Sequence, residues 1–303
     1  MEREPEVEMG AIRPTSRHNY VAFFLTFACN LKCPYCINLH DGGSRQAMSK
    51  PTMSVADWVR AAGRLRLRAD LPLTLQGGEP TLYPGFYRLV NEMRPDLKCD
   101  LLTNLSFDVA EFAANVPLER FVRDAPYAPI RVSYHPGQND IEELIRKYFF
   151  LVEKGFRIGI YGILHPDEQL RGHILKVQER CQNLGIDFRT KEFLGEWEGC
   201  VYGEMKYPGA VVGGQMRSCR CRTSELLVDP GGFVYKCHAD LFRGRVPYAH
   251  ILDSDLSENS IDAFRDCGFY GDCNPCDIKI KTNRFQKFGH TSVDIMEIQG
   301  EDA

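Results

Sequence analysis

The sequence predicts an α/β fold built on a parallel sheet, and three observations carry that prediction. Between residues 17 and 195, short apolar runs of strand type alternate with apolar stripes of helical period. The helical stripes open on capping residues such as Ser54 and Asp140 and close on Pro95, Gly155 or Gly185. The most reactive stretch, Phe27-Ala28-Cys29-Asn30-Leu31-Lys32-Cys33-Pro34-Tyr35-Cys36, directly follows the first strand. In parallel sheets the reactive groups sit at the carboxyl ends of strands.

Taken in order, the first strand is Tyr20 to Phe27, all apolar or small except Thr26. A polar, Gly-containing connection from His40 to Lys50 follows, and Ser54 then caps a helix, with Asp57 three residues on as in a capping box. Val55, Trp58, Val59, Ala62 and Leu65 form its apolar stripe. Leu71 to Gln76 is the second strand, and Phe86, Leu89, Val90 and Met93 mark the next helix. Cys99 to Thr103 is the third strand, and a short helix runs from Asp108 to Asn115. Pro129 to Tyr134 is the fourth; Ile141, Leu144, Ile145, Tyr148 and Leu151 face the core from the helix after it. Phe156 to Ile163 is the fifth strand. Leu170, Ile174, Val177, Cys181 and Leu184 form the next stripe, and Ile186 to Phe193 is the sixth strand. Strand and helix alternating at this spacing imply right-handed crossovers on one parallel sheet.

At 303 residues and 44% hydrophobic content, the chain can bury one large core and a smaller one. The formal net charge is −4 and no Lys/Arg-rich block is present, which disfavours nucleic acid as a partner. No apolar run is long enough to span a membrane. The N-terminus is acidic, unlike an export or transit signal, so a cytoplasmic protein with a disordered tail over residues 1–16 is expected. Twelve cysteines without an export signal argue for metal rather than disulfides. Nine of them fall in two regions: Cys29, Cys33 and Cys36, then Cys219, Cys221, Cys237, Cys267, Cys273 and Cys276. Cys99 and Cys181 read as core, and Cys200 as a loop residue without a role.

Three thiolates on one tight loop suit an iron–sulfur cube, and they supply one ligand too few. The fourth iron is left open to a group that is not protein, which marks a chemical site. A zinc knuckle completed by His40 is the alternative. The C-x3-C-x2-C spacing, with aromatic Tyr35 before the third cysteine, resembles the cluster loop of the radical S-adenosylmethionine (SAM) family. That resemblance implies a partial (β/α)6 TIM-like barrel. It also implies SAM chelated to the open iron of a [4Fe–4S] cluster and cleaved reductively to a 5′-deoxyadenosyl radical that abstracts hydrogen from a substrate. A one-electron donor such as flavodoxin or ferredoxin would supply the electron.

Gln76-Gly77-Gly78-Glu79-Pro80, after the second strand, resembles the family's Gly-Gly-Glu-Pro motif, which receives the amino group of SAM. Glycines let backbone approach a ligand, and carbonyls and a carboxylate accept from an ammonium. Thr103-Asn104 ends strand three, where relatives often carry a Thr-Asn pair near the SAM ribose and carboxylate. Ser133 ends strand four in Ser133-Tyr134-His135-Pro136-Gly137; relatives have aspartate where His135 stands, so His135 becomes a candidate to face substrate as a catalytic residue. His165 is placed similarly after strand five.

Cys219 to Cys237 reads as a hairpin around Asp229-Pro230-Gly231-Gly232, and Cys273-Asn274-Pro275-Cys276 adds a chelating loop. This resembles the twitch or SPASM-like C-terminal domain (β-hairpin plus helix) that binds an auxiliary [4Fe–4S] cluster. Residues 17–195 would then be the barrel and 196–303 the auxiliary domain. Cys219, Cys237, Cys273 and Cys276 are the expected ligands, with Cys221 and Cys267 as alternates, and structural zinc remains open. An auxiliary cluster without an open iron suggests a net oxidation, either a dehydrogenation or a crosslink. The residues before the first strand are too few for a leader-binding domain. The expected substrate is therefore a small metabolite such as a sugar or aminocyclitol, with a peptide (maturase or epimerase chemistry) as the alternative. A non-catalytic iron–sulfur carrier or redox sensor is the competing class.

Overall fold

The structure is a computed structural model, and it describes residues 10–36, 51–193, 195–202, 217–270 and 293–298. Strands β1 (Tyr20–Thr26), β2 (Leu73–Gly77), β3 (Cys99–Thr103), β4 (Ile130–Tyr134), β5 (Ile158–Leu164) and β6 (Phe188–Glu192) lie side by side in chain order, all parallel. Between them run α1 (Val55–Arg64), α2 (Phe86–Glu92), α3 (Val109–Asn115), α4 (Ile141–Glu153) and α5 (Glu168–Asn183). This is the expected α/β partial barrel.

Alternation along each strand separates two cores. Val21, Phe23 and Leu25 of β1 point at the helices and join the large core, where Trp58 of α1 packs on Phe23 with ring centroids 4.7 Å apart. Tyr20, Ala22 and Phe24 point to the other face, into a smaller cluster with Leu227, Tyr235 and Phe242. Ser54 caps α1 as its spacing predicts, accepting from the Asp57 amide.

Strands β2, β5 and β6 begin two residues later than the apolar runs suggest. Helix closure uses those residues. Gly155 turns left-handed at φ +90° and the Phe156 amide returns to the Leu151 carbonyl, while the Ile186 amide returns to Cys181. Leu71 is likewise held in a turn by the Arg68 carbonyl.

The expected tail over residues 1–16 is corrected for its described part. Ile12 is fully buried; its amide donates to the Arg64 carbonyl at 2.8 Å and its carbonyl accepts from Arg66 at 2.9 Å. Arg64 itself is buried and donates to the carbonyls of Gly10, Ile251, Asp253 and Leu256. One guanidinium thus satisfies carbonyls from two distant segments, at Gly10 and over residues 251–256, which is why residues 10–16 stay docked.

Beyond the sixth strand, β7 (Gly195–Trp197) and β8 (Cys200–Tyr202) form a tight hairpin. Cys200 therefore opens a strand rather than lying in a loop, and it is exposed. Next come β9 (Arg217–Thr223), β10 (Glu225–Val228), β11 (Phe233–Tyr235), α6 (His238–Phe242), β12 (Ala249–His250), α7 (Glu258–Ile261), β13 (Arg265–Tyr270) and β14 (Val293–Glu297). The β10–β11 hairpin forms where the Pro-Gly-Gly turn predicts it. Gly232 sits at φ +88°, and the Asp229 carboxylate accepts from the Gly231 and Phe233 amides, each at 2.9 Å. Strand β10 docks parallel to β1, so the main sheet runs β12-β11-β10-β1-β2-β3-β4-β5-β6. A second sheet, β13-β9-β14, carries cysteines of the later region. Among the described residues no helix is long and apolar enough to cross a membrane.

Candidate active site

The carboxyl ends of the barrel strands surround a cavity of about 220 Å³. Cys29, Cys33, Cys36 and Tyr35 line it from the loop after β1, and Gly77 and Gly78 from the end of β2. Thr103, Asn104, Ser133 and His135 line it from the ends of β3 and β4. The residues singled out in the first half of the chain therefore converge, apart from Glu79 and Pro80, which lie just behind.

The cluster loop is tightly held. The Cys36 amide donates to the Cys33 carbonyl at 3.1 Å. The Cys29 sulfur accepts from the Leu31 amide at 3.4 Å and from Asn104 Nδ2 at 3.7 Å. Burial, reinforced by charge on Cys36 and Cys29, pushes the Cys33 thiol up to about 12. A bound cation would offset that burial by favouring the thiolate, the form in which cysteine ligates metal. N–H donors to the sulfurs also suit an iron–sulfur cluster, whose potential they tune.

The paired glycines answer to protein backbone. Gly77 lies at φ +152°, and a Cβ there would fall 1.9 Å from the Thr26 carbonyl oxygen. A Cβ on Gly78 would fall 2.3 Å from the Ala28 oxygen and 2.5 Å from that of Phe27. The Gly78 amide donates to Thr26 and the Glu79 amide to Ala28, each at 2.8 Å. The end of β2 is thus pressed against the chain entering the cluster loop, closer than any side chain permits.

Glu79 is fully buried. Its carboxylate accepts from Thr81 Oγ1 at 2.7 Å, Thr103 Oγ1 at 2.8 and 2.9 Å, and the Asn104 amide at 2.7 Å. Burial pushes the carboxyl above its usual range, against these donors. Both oxygens thus serve to tie β2 to β3, with Pro80 opening the turn behind them. Asn104 passes the tie on, donating from Nδ2 to Asn30 Oδ1 at 2.9 Å. Leu105, buried and left-handed at φ +59°, follows; its amide donates to Thr103 Oγ1 at 2.9 Å.

After β4, the chain folds back onto the same loop. His135 Nδ1 lies 3.2 Å from the Tyr35 hydroxyl, and Gln138 Oε1 accepts from the Lys32 amide at 3.0 Å. Burial, with the Lys191 charge adding to it, lowers the His135 imidazole to about 4, so it is neutral at pH 7. His165 is buried off the cavity lining, where Nδ1 accepts from the Asp167 amide at 3.0 Å and the ring packs edge-on to Trp197.

Gln76, Tyr161, Lys191 and Phe242 also line the cavity. Inward position at the carboxyl end of a strand marks Gln76 and Lys191, a mark that a list of motifs passes over. Phe242 comes from α6, which reaches the barrel only because β10 docks on β1.

In the later region, the sulfurs of Cys219, Cys221 and Cys267 lie within 4.8 Å of one another. Cys219 and Cys221 are two apart on β9 and share a face, and Cys267 of β13 stands opposite Cys219 in register. Cys237 stands outside the trio at the N-terminus of α6, its sulfur accepting from the Asp240 amide at 3.5 Å. Cys273, Cys276 and His40 lie outside the described residues.

A parallel α/β partial barrel with three thiols and a cradle of backbone at its strand ends defines a cofactor-dependent barrel enzyme. The chain belongs to the radical SAM superfamily, whose family model matches residues 23–177. It is 26% identical over 155 residues to the GTP 3′,8-cyclase of Shewanella denitrificans (strain OS217), a match spanning 49% of this chain and 45% of that relative. Two solved structures share its fold, each covering 80% of this chain and 79% of its own. Native anSMEcpe with bound AdoMet has a TM-score of 0.52 at 14% identity; the same protein with AdoMet and the Kp18Cys peptide has 0.52 at 15%. The cofactors of the family are a [4Fe–4S] cluster and SAM, and the thiol loop and its cradle fit them.

Proposed function

We propose that Cys29, Cys33 and Cys36 hold the [4Fe–4S] cluster, that SAM occupies the cavity beside it, and that the enzyme abstracts hydrogen from a small-molecule substrate. The observation that carries this reading is the sharing of one cavity by the three thiols and the Gly77-Gly78 turn. When bound, the two cofactors supply a 5′-deoxyadenosyl radical. The protein's part is to seat and shield. Carbonyls of Gly77 and Gly78 are the acceptors offered to the SAM ammonium, because the Glu79 carboxylate is turned to Thr103 and Asn104. Asn104 and Ser133 offer polar contacts beside them. His135 clamps Tyr35, and thus the cluster loop, to β4. Phe24, Phe27 and Phe242 give the cavity an apolar wall that keeps water from a reactive intermediate.

The trio of Cys219, Cys221 and Cys267 supports a second metal centre in the region after residue 195. We assign it to an auxiliary [4Fe–4S] cluster, for which Cys237, Cys273 and Cys276 are further candidate ligands. It would accept an electron from the substrate and make the net reaction an oxidation. The cyclase relative, whose named substrate is a nucleotide, favours a small molecule. A peptide is the second reading, favoured by the peptide held by a protein of the same fold. A cytoplasmic setting with flavodoxin or ferredoxin as donor completes the proposal.

The test is anaerobic incubation of the reconstituted protein with SAM and dithionite. Release of 5′-deoxyadenosine is the expected result. Fully loaded clusters with no release would place the protein among iron–sulfur carriers.

A further inference from the structure

Asn104 follows β3 and is buried at the edge of the cavity. Three contacts hold its side-chain amide. The Ser106 amide donates to Oδ1 at 3.0 Å, and this fixes which way the group points, because a nitrogen in that place would set donor against donor. Nδ2 therefore faces the cluster loop. It donates to Asn30 Oδ1 at 2.9 Å and to the Cys29 sulfur at 3.7 Å, a hydrogen-bonding distance for an atom larger than oxygen. Two hydrogens thus meet two partners, both on the loop.

The backbone holds the amide in place. Leu105 is buried in the left-handed region at φ +59°, a conformation that a leucine keeps only where its surroundings impose it. The Asn104 main-chain amide donates to the Glu79 carboxylate at 2.7 Å. Main chain and side chain therefore have separate tasks: one ties β3 to the turn after β2, and the other reaches 75 residues back to Cys29. The Cys29 sulfur takes a second donor from its own loop, the Leu31 amide at 3.4 Å. N–H groups aimed at a thiolate stabilise negative charge on it. They favour the reduced, more negative state of an iron–sulfur cluster that the thiolate ligates.

We infer that Asn104 is a positioning residue that sets the reduction potential of the first cluster, through the bond from Nδ2 to the Cys29 sulfur. The inference rests on the assignment of that cluster to Cys29, Cys33 and Cys36, and it names a side chain outside the loop that adjusts it. In the sequence Asn104 reads as a neighbour of SAM. In the fold its two amide hydrogens go to the cluster loop instead.

The test compares wild type, N104D and N104L, each reconstituted anaerobically and kept free of SAM. N104D keeps an acceptor for the Ser106 amide and puts a carboxylate oxygen where the donor stood. N104L removes both polar atoms at similar volume. Neither touches the main-chain bond to Glu79, so first-centre iron is expected to stay. Iron analysis and a redox titration followed by electron paramagnetic resonance are the readouts. In every variant that keeps first-centre iron, the midpoint potential should fall. The expected change is about three- to tenfold in the reduction equilibrium constant, roughly 30–60 mV for a one-electron couple. An unchanged or raised potential in a variant with full iron overturns the inference. So does loss of first-centre iron from both variants, because Asn104 then builds the loop instead of tuning the cluster. Wild-type protein with no cluster on Cys29, Cys33 and Cys36 overturns it too. Wild-type protein that holds this cluster yet releases no 5′-deoxyadenosine once SAM is added removes the enzyme reading alone, and the potentials still decide the role of Asn104.

Discussion

Replacing Cys29, Cys33 and Cys36 by alanine gives a protein that folds, retains about four irons per chain at its second centre, and releases no 5′-deoxyadenosine. The fold survives because the loop hangs from β1, whose seven residues are buried by the sheet on both sides and by α1. Second-centre iron survives because Cys219, Cys221 and Cys267 are held by pairing of β9 with β13, in a different sheet from β1. Activity falls to background, since no other described thiols line the cavity. Iron and zinc analysis of the variant decides the nature of the second centre. Tetrahedral zinc, with sulfurs about 2.3 Å from the ion, also suits thiols this close. One zinc and no iron would replace the auxiliary cluster with a structural ion, and loss of all metal would defeat the assignment of a second centre.

Gly78→Ala is expected to empty the first centre of iron while the protein remains folded. The added methyl would lie 2.3 Å from the Ala28 oxygen and 2.5 Å from the Phe27 oxygen, so backbone has to move. Overpacking of this kind costs about 3 kcal/mol, and the strain falls on the residues that lead directly into Cys29. Glu79→Ala is the companion variant. It leaves the buried Asn104 amide without its acceptor, at a cost of about 1–3 kcal/mol, and loosens the Asn104 contact to Cys29. Both variants should lower iron at the first centre before any effect on SAM is measurable. Glu79→Ala protein with full iron and weakened SAM binding would show that the carboxylate meets the cofactor directly.

What was legible in the sequence followed from local pattern. The strand–helix alternation, the Ser54 and Asp140 caps, the thiol loop at the end of β1 and the hairpin around Gly231-Gly232 are each specified within a few residues. Partnerships across long separations were not legible. The glycines of β2 are read in the sequence as room for a ligand, and they do line the cavity, but nothing local shows that an added Cβ would also meet carbonyls of Thr26 and Ala28 some fifty residues earlier. Glu79 is read as a partner for an ammonium, and the sequence gives no sign of the donors its carboxylate takes from β3 and from its own turn. Nothing local signals that β10 will extend the sheet beside β1 and bring Phe242 to the cavity. Strand β6 reads Phe-Arg-Thr-Lys-Glu, a polar run in which only the alternation of faces marks Lys191 as inward. The docking of Ile12 depends on Arg64, whose buried guanidinium no helical stripe would assign to the core.

The central claim is that one iron of the first cluster takes SAM in place of a fourth cysteine. Electron paramagnetic resonance of the anaerobically purified, dithionite-reduced protein, recorded before and after adding SAM, tests it most directly. SAM is expected to shift the signal of one cluster, the Cys29/Cys33/Cys36 alanine variant to lack that signal, and any second-centre signal to stay put. A wild-type spectrum identical with and without saturating SAM would contradict it.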